Sequence, residues 1–394
     1  MKKVLFLAAC LMAVAPMKAV TKIGDVTVNV DSRVLTIKVS ANTPELNGLA
    51  QLAFASHGRY KVVPGTAQFE VKFTQVSATQ VKADVTKGGS PFFSTTATGT
   101  SPRNALLKAA DAVVEKTNMQ GLKGWFASKV AFISERTGKK EVYVGDLFFG
   151  EAKQVTHDNA SALSPRWTPD GRHIVYTSFY KSGFPDIFLI DTATYQRNSF
   201  VSFKGTNSGA RFSPNGAQVA MILSGEGNPD LYVTNSSGHL PHRITRTDAV
   251  EASPCWSPDG SRIVYTSDAA GGPQLYVIPA SGGAPSRLPT GISGYCAEPD
   301  WSKGNPNKIA FTLRIGKGYQ IGVYDMTTRT AAQVSKAPYD GIEPSWLADG
   351  RHLVYTARTP GDSRICILDT ETGNTKVVSP TTLGQVMQVS VSGP

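Results

Sequence analysis

Small clusters of acidic, hydroxyl, amide and aromatic residues recur along the last two thirds of this 394-residue chain: His157-Asp158-Asn159, Thr206-Asn207, Asp248 with Glu251, Tyr295 with Glu298, and Tyr339-Asp340 with Glu343. Phe179, Tyr180, Phe184 and Tyr319 add aromatic rings between them. Gathered on one surface, carboxylates and aromatics suit a protein partner that presents basic and apolar side chains. A ring of carboxylates would also offer the several oxygen ligands that Ca²⁺ prefers, although no segment has the Asp-x-Asp-x-Asp-Gly pattern of a calcium loop. Any one of these residues alone reads better as a solvated loop position or a hydrogen bond that fixes its own loop. The recurrence is what points to binding.

Patterns that mark the common catalytic centres are missing. There is no Gly-x-Ser-x-Gly elbow, and Gly205-Thr-Asn-Ser-Gly209 has the wrong spacing. His-Glu-x-x-His, a phosphate-binding loop and a dinucleotide fingerprint are also missing. Of the six histidines, His173 and His352 hold equivalent places in two Asp-Gly-Arg-His stretches, as structural residues would. Cys255, Cys296 and Cys366 remain once Cys10 leaves with an export signal, an odd number that describes no disulfide framework. Buried free thiols are the simpler reading beside a Cys255–Cys296 bridge. The formal charge of +10 falls to about +7 without Lys2, Lys3 and Lys18, and the basic residues are scattered with no run of five. Nucleic acid is not an expected partner. No catalytic residue, metal site or cofactor is expected, while a pocket assembled across distant segments stays open as the alternative.

What must position the acidic clusters is a repeat. Trp167 opens Trp-Thr-Pro-Asp-Gly-Arg-His, Phe212 opens Phe-Ser-Pro-Asn-Gly, and Trp256 opens Trp-Ser-Pro-Asp-Gly. Trp301 opens the degraded Trp-Ser-Lys-Gly, and Trp346 opens Trp-Leu-Ala-Asp-Gly-Arg-His. These five anchors lie 45, 44, 45 and 45 residues apart, a register that chance does not keep. In the turn, Pro presets φ, Asp bonds nearby backbone and Gly accepts φ > 0. A β-branched and aromatic run such as Ile263-Val-Tyr-Thr-Ser267 follows, then a third strand such as Gln274-Leu-Tyr-Val-Ile278 and a weaker fourth such as Ser286-Arg-Leu288. Four short strands in about 40–45 residues is the signature of a propeller blade, which buries its faces only against neighbouring blades.

The second-strand pattern occurs six times, beginning at Val130, Ile174, Val219, Ile263, Ile309 and Leu353. The first copy lacks a preceding Trp strand, while Gly384-Gln-Val-Met-Gln-Val-Ser-Val391 ends the chain unassigned. Residues 125–394 are therefore expected to form an all-β six-bladed propeller, with that C-terminal strand innermost in the first blade so that the join has no unpaired edge. The Trp residues read as blade core. Loops leading into each first strand share one face with the second-to-third connections, and these are the longer loops that carry the acidic clusters.

Upstream of the repeat, Lys2-Lys3, an apolar run from Val4 to Ala15 and Pro16-Met-Lys-Ala19 read as a secretory signal at residues 1–19, too short to span a bilayer. Cleavage is expected near Ala19, and Leu7-Ala-Ala-Cys10 falls too early for a lipoprotein box. Residues 20–124 read as a small α/β domain. Strands at 34–39, 60–63, 69–74, 80–85 and 92–96 alternate with a helix opened by Thr43-Pro44 and a second opened by Ser101-Pro102.

An export signal, a small α/β domain and six Trp-Ser-Pro-Asp-Gly blades in that order resemble the TolB family of Tol-Pal system propellers. The motif-level resemblance covers roughly residues 130–394. It implies a periplasmic, non-enzymatic, monomeric scaffold in a trans-envelope assembly that supports outer-membrane integrity and cell division. A Pal-like peptidoglycan-associated lipoprotein would sit on the channel face, and a TolA-like inner-membrane protein would engage the N-terminal region. The open alternative is a periplasmic propeller enzyme or ligand sensor with its pocket in the central channel.

Overall fold

Each period folds as a four-stranded antiparallel meander, and turn chemistry pairs its first two strands. In blade 2 the strands are Ala162–Trp167, His173–Ser178, Asp186–Asp191 and Arg197–Val201. Between the first two, Gly171 takes φ +65°, while the Arg172 N–H donates to Asp170 Oδ1 at 3.0 Å and the Thr168 hydroxyl donates to the same oxygen at 2.5 Å. The side chain thus replaces the backbone partners that a tight turn cannot supply.

The computed structural model describes residues 34–393. The expected signal at residues 1–19 and its cleavage near Ala19 lie outside the described residues. Among those described, six four-stranded sheets form the propeller. Inner strands of blades 2 to 6 are Ala162–Trp167, Asn207–Phe212, Glu251–Trp256, Cys296–Trp301 and Asp340–Trp346. Blade 1 takes its inner strand from the end of the chain. Val386–Ser392 pairs antiparallel with Lys129–Ser134, setting Met387 opposite Ile133 and Val391 opposite Val130. The ring closes as the repeat count requires, and the core lies between blades. Ala220, Ile222, Trp256, Ile263 and Tyr265, for example, pack blade 3 against blade 4.

Every inner strand carries the same irregularity. Ser164, Gly209, Ser253, Glu298, Glu343 and Gln388 all take φ between +50° and +66°, and the strand pairing shifts register beside each. The bulge turns these residues into the central channel and removes their N–H groups from the ladder. Side chains of the preceding blade supply several of the missing partners. The Gln388 amide oxygen accepts from Ser164 N–H at 2.8 Å, Glu343 Oε2 from Gln388 N–H at 3.1 Å, and Glu298 Oε2 from Glu343 N–H at 3.1 Å.

Ahead of the propeller lie β1 (Leu35–Ala41), α1 (Pro44–Ser56), β2 (Tyr60–Val62), β3 (Phe69–Gln75), β4 (Gln80–Lys87), β5 (Ser90–Thr98) and α2 (Pro102–Thr117). Thr43 and Ser101 cap the helices through their hydroxyls, as their Ser/Thr-Pro sequences predict. The sheet order is β2-β1-β3-β4-β5. Its alternating Ile37, Val39, Val71, Phe73, Val81 and Ala83 share one core with Ala50, Phe54, Leu106 and Val113 of the helices. That core continues through Trp125 and Phe126 into Phe132 of blade 1 and Leu347, Val354 and Ile365 of blade 6.

Candidate functional site

The first-to-second and third-to-fourth turns of all blades lie on one side of the ring, here the turn face. The α/β part packs on that side, against the turns of blades 1 and 6: Arg103 pairs with Asp146 at 3.1 Å, and Gly58 N–H donates to His352 Nε2 at 3.1 Å. Loops leading into the inner strands open on the other side, the lead-in face, together with the second-to-third loops.

The eleven residues expected at this rim divide into three groups. His157, Asp248 and Tyr339 are exposed, and half-buried Tyr295 stacks edge-on to Tyr319 with ring centroids 5.2 Å apart. A second group is turned inward. Asp158 is paired with Arg197, and Asn207 is fully buried and donates to the carbonyls of Phe203 and Gly205 at 2.8 and 3.2 Å. Glu251 is buried and accepts from the hydroxyls of Thr247 and Ser267 at 3.0 and 3.1 Å. Thr206 N–H binds Ser224 Oγ at 2.8 Å, and Asp340 pairs with Arg358 at 2.9 Å. These groups hold the loops in shape.

Glu298 and Glu343 form the third group and do not stand on the rim. The inner-strand bulges place both inside the channel, in a cavity of about 70 Å³ lined also by Ser164, Arg166, Arg211 and Gln388. Thr312 donates to Glu298 Oε2 at 2.7 Å and Thr356 to Glu343 Oε2 at 2.9 Å. Burial, followed by the neighbouring Glu343 charge, pushes the Glu298 carboxyl up to about 7. Both carboxylates tie one blade to the next through an accepting oxygen, so truncation or charge reversal would disturb the ring itself, whereas Glu→Gln keeps an acceptor there.

The turn-face half of the channel has the opposite character. A cavity of about 280 Å³ is lined by Arg166, Arg211, Cys255, Asp300, Ser345 and Ser390, with Trp256, Trp301 and Trp346 at its walls. Arg211 pairs with Asp300 at 2.7 Å, and Asp300 also accepts from Trp346 N–H at 2.8 Å. Cys255, Cys296 and Cys366 are free and buried, and burial pushes the Cys255 thiol up.

The family model of the TolB beta propeller domain matches residues 116–392, well over half of the chain. The chain belongs to the TolB propeller family. The Tol-Pal system protein TolB of Alcanivorax borkumensis is 31% identical over 131 residues, 32% of this chain and 30% of that protein. That of Roseobacter denitrificans is 37% identical over 105 residues, 26% of this chain and 23% of that protein. The matched stretch thus spans less than a third of either relative. The crystal structure of TolB from Acinetobacter baumannii matches with a TM-score of 0.78 at 23% identity, over 91% of this chain and 96% of that one. This likeness establishes the fold.

In this TolB-family chain, two sets of residues escaped the sequence reading. Arg166, Arg211, Cys255, Asp300, Ser345 and Ser390 hold one position of the repeat, two residues past each bulge. A charged residue inside an inner strand was the available signal. The second set is the seam between the α/β part and blade 6. His57, Asp349 and His352 bring donor atoms within 4.8 Å of one another, as a metal site would. Their hydrogen bonds argue otherwise. His352 Nδ1 lies 2.6 Å from Asp349 Oδ2 while Nε2 accepts from Gly58 N–H, and His57 Nδ1 accepts from Arg59 N–H at 3.3 Å. Both His352 nitrogens are engaged, so the cluster reads as a latch in which Trp125 Nε1 donates to Asp349 at 3.1 Å. Burial lowers the His57 pKa and keeps that ring neutral. Among the described residues no helix is long and apolar enough to cross a membrane.

Proposed function

We propose that this protein is a non-enzymatic periplasmic scaffold of a Tol-Pal-type envelope system that docks a Pal-like lipoprotein on the lead-in face of its propeller. One observation carries the reading. The exposed large apolar side chains of the propeller loops gather on that face: Tyr180, Phe184, Phe203, Val250, Ile315 and Tyr339, against Tyr195 and Leu240 on the turn face. On the same face Asp248 is exposed and Asp340 is half-buried. Aromatic and aliphatic anchors with acidic neighbours suit a partner surface of apolar and basic side chains. The α/β part packs on the other face, at blades 1 and 6, and leaves this one free for a partner. The Tol-Pal names of the relatives and the expected export signal support the periplasmic assignment, and the N-terminal region is the place for a TolA-like inner-membrane protein. Such a scaffold would support outer-membrane integrity and cell division.

The test is calorimetric titration with the soluble domain of the Pal-like lipoprotein from the same organism. The Phe184→Ala, Tyr339→Ala double variant should bind at least about tenfold more weakly, with an unchanged melting temperature. No binding by the native protein, or full affinity in the variant, would remove the reading. Glu298 and Glu343 are unsuitable for this purpose because they staple the ring.

A further inference from the structure

Arg166 is the outlier of the channel. It extends from the inner strand of blade 2, lines both channel cavities, and donates to the carbonyl of its own neighbour Pro165 at 3.0 Å. Among the described residues no carboxylate forms an ion pair with it, whereas Arg211, one blade on, is held by Asp300. Protein walls it in although its side chain still meets channel water, and burial, followed by the Arg211 charge, pushes the guanidinium down to about 10. Asp300 and Glu343 attract it only across the channel, without a direct ion pair, so the desolvated charge is incompletely balanced and gains from an anion that reaches it.

The surroundings say what kind of anion. Lys123 and Lys303 stand exposed at the turn-face mouth, so four cations face the single carboxylate of Asp300, which is already engaged by Arg211 and Trp346 N–H. The guanidinium fork matches a carboxylate in a two-point contact. Trp256, Trp301, Trp346 and Pro258 give the rest of the wall an apolar edge, which favours an anion with a carbon body over a bare inorganic ion. At about 280 Å³ the cavity is small-molecule sized.

We infer that the turn-face half of the channel binds a small organic carboxylate, with Arg166 as its ion-pair partner and the tryptophan edges against its carbon body. The site opens on the side opposite the docking rim and stands whether or not a lipoprotein docks there. It gives the scaffold a ligand site that the sequence motifs do not announce.

Calorimetric titration of the whole protein with sodium succinate, at ionic strength balanced with NaCl, tests it, with inorganic phosphate as the parallel arm. The expected result is a saturable isotherm for succinate in the range of roughly 0.1–1 mM, with phosphate at least about tenfold weaker. Arg166→Gln should weaken succinate by at least about tenfold while melting no lower than the native protein, because it removes an unpaired charge rather than an ion pair. Succinate without saturation, an unchanged isotherm in Arg166→Gln, or phosphate binding as tightly would each overturn the inference. Should Arg166→Gln fail to fold, Lys303→Glu at the exposed mouth must weaken succinate several-fold, and an unchanged affinity there rejects the site equally.

Discussion

Blades 2 and 6 contain the same turn in two states. Asp170-Gly-Arg172-His173 and Asp349-Gly-Arg351-His352 occupy identical places between first and second strands, and each histidine lies opposite an aspartate of the third strand, Asp191 or Asp369. In blade 2 the His173 side chain is 34% exposed, its nitrogens 3.6 and 3.5 Å from Asp170 and Asp191, and Arg172 is exposed to solvent. In blade 6 the His352 side chain is 0% exposed and Arg351 is buried. Arg351 donates to both oxygens of Asp369 at 2.9 and 2.7 Å and to Gln120 at 3.1 Å. The difference is the α/β part, which covers blade 6 and leaves blade 2 bare. Identical local sequence produces the same turn, and burial decides whether its arginine and histidine join a seam or stay at the surface.

Equivalent substitutions in the two blades should therefore differ sharply. Asp369→Ala takes the two-point partner from a buried guanidinium, leaving it Glu371 at 3.0 Å and Gln120, and should cost about 3 kcal/mol in chemical denaturation. Asp191→Ala loses only exposed turn hydrogen bonds from Ala193 and Thr194 and should cost no more than about a third of that. Similar losses at both positions would break the comparison. His352→Ala removes the acceptor of Gly58 N–H and leaves a hole in the seam, at about 2–3 kcal/mol, against about 0.5 kcal/mol or less for His173→Ala. The smallest effect sharpens the contrast between buried and exposed carboxylates. Glu298 has its pKa raised from 4.5 to about 7, so the folded protein holds that proton more tightly than the unfolded chain does. Its stabilising contribution is full below about pH 4.5 and is lost as pH rises through about 7. Glu298→Gln should then gain roughly 1–2 kcal/mol at pH 8 and almost nothing at pH 4.5, read as melting curves across that window. An equal gain at both pH values would contradict the raised pKa.

Blade count, ring closure and both helix starts were legible because each rests on local chemistry repeated in register. Pro-Asp-Gly makes a turn wherever it stands, and six second-strand patterns against five anchors left one inner strand to come from Val386–Ser392. The rim was legible only as a set of loops. Nothing near Asp158 announces Arg197 as its partner 39 residues away, and nothing near Asn207 shows that its amide turns back into its own loop. Glu298 and Glu343 were read as loop carboxylates because a bulge with positive φ is not expected at a non-glycine residue. The bulge moved them from the rim into the channel.

The sequence by itself determined a ring of six four-stranded blades, because strand, turn and spacing are set by neighbours a few residues apart. Tertiary structure alone decided which of two identical Asp-Gly-Arg-His turns became a latch, which rim residues stay exposed, and that Arg166 faces the channel without a direct ion pair. Those outcomes depend on groups brought together from distant parts of the chain, where desolvation decides the worth of each charge, and local sequence carries no measure of desolvation.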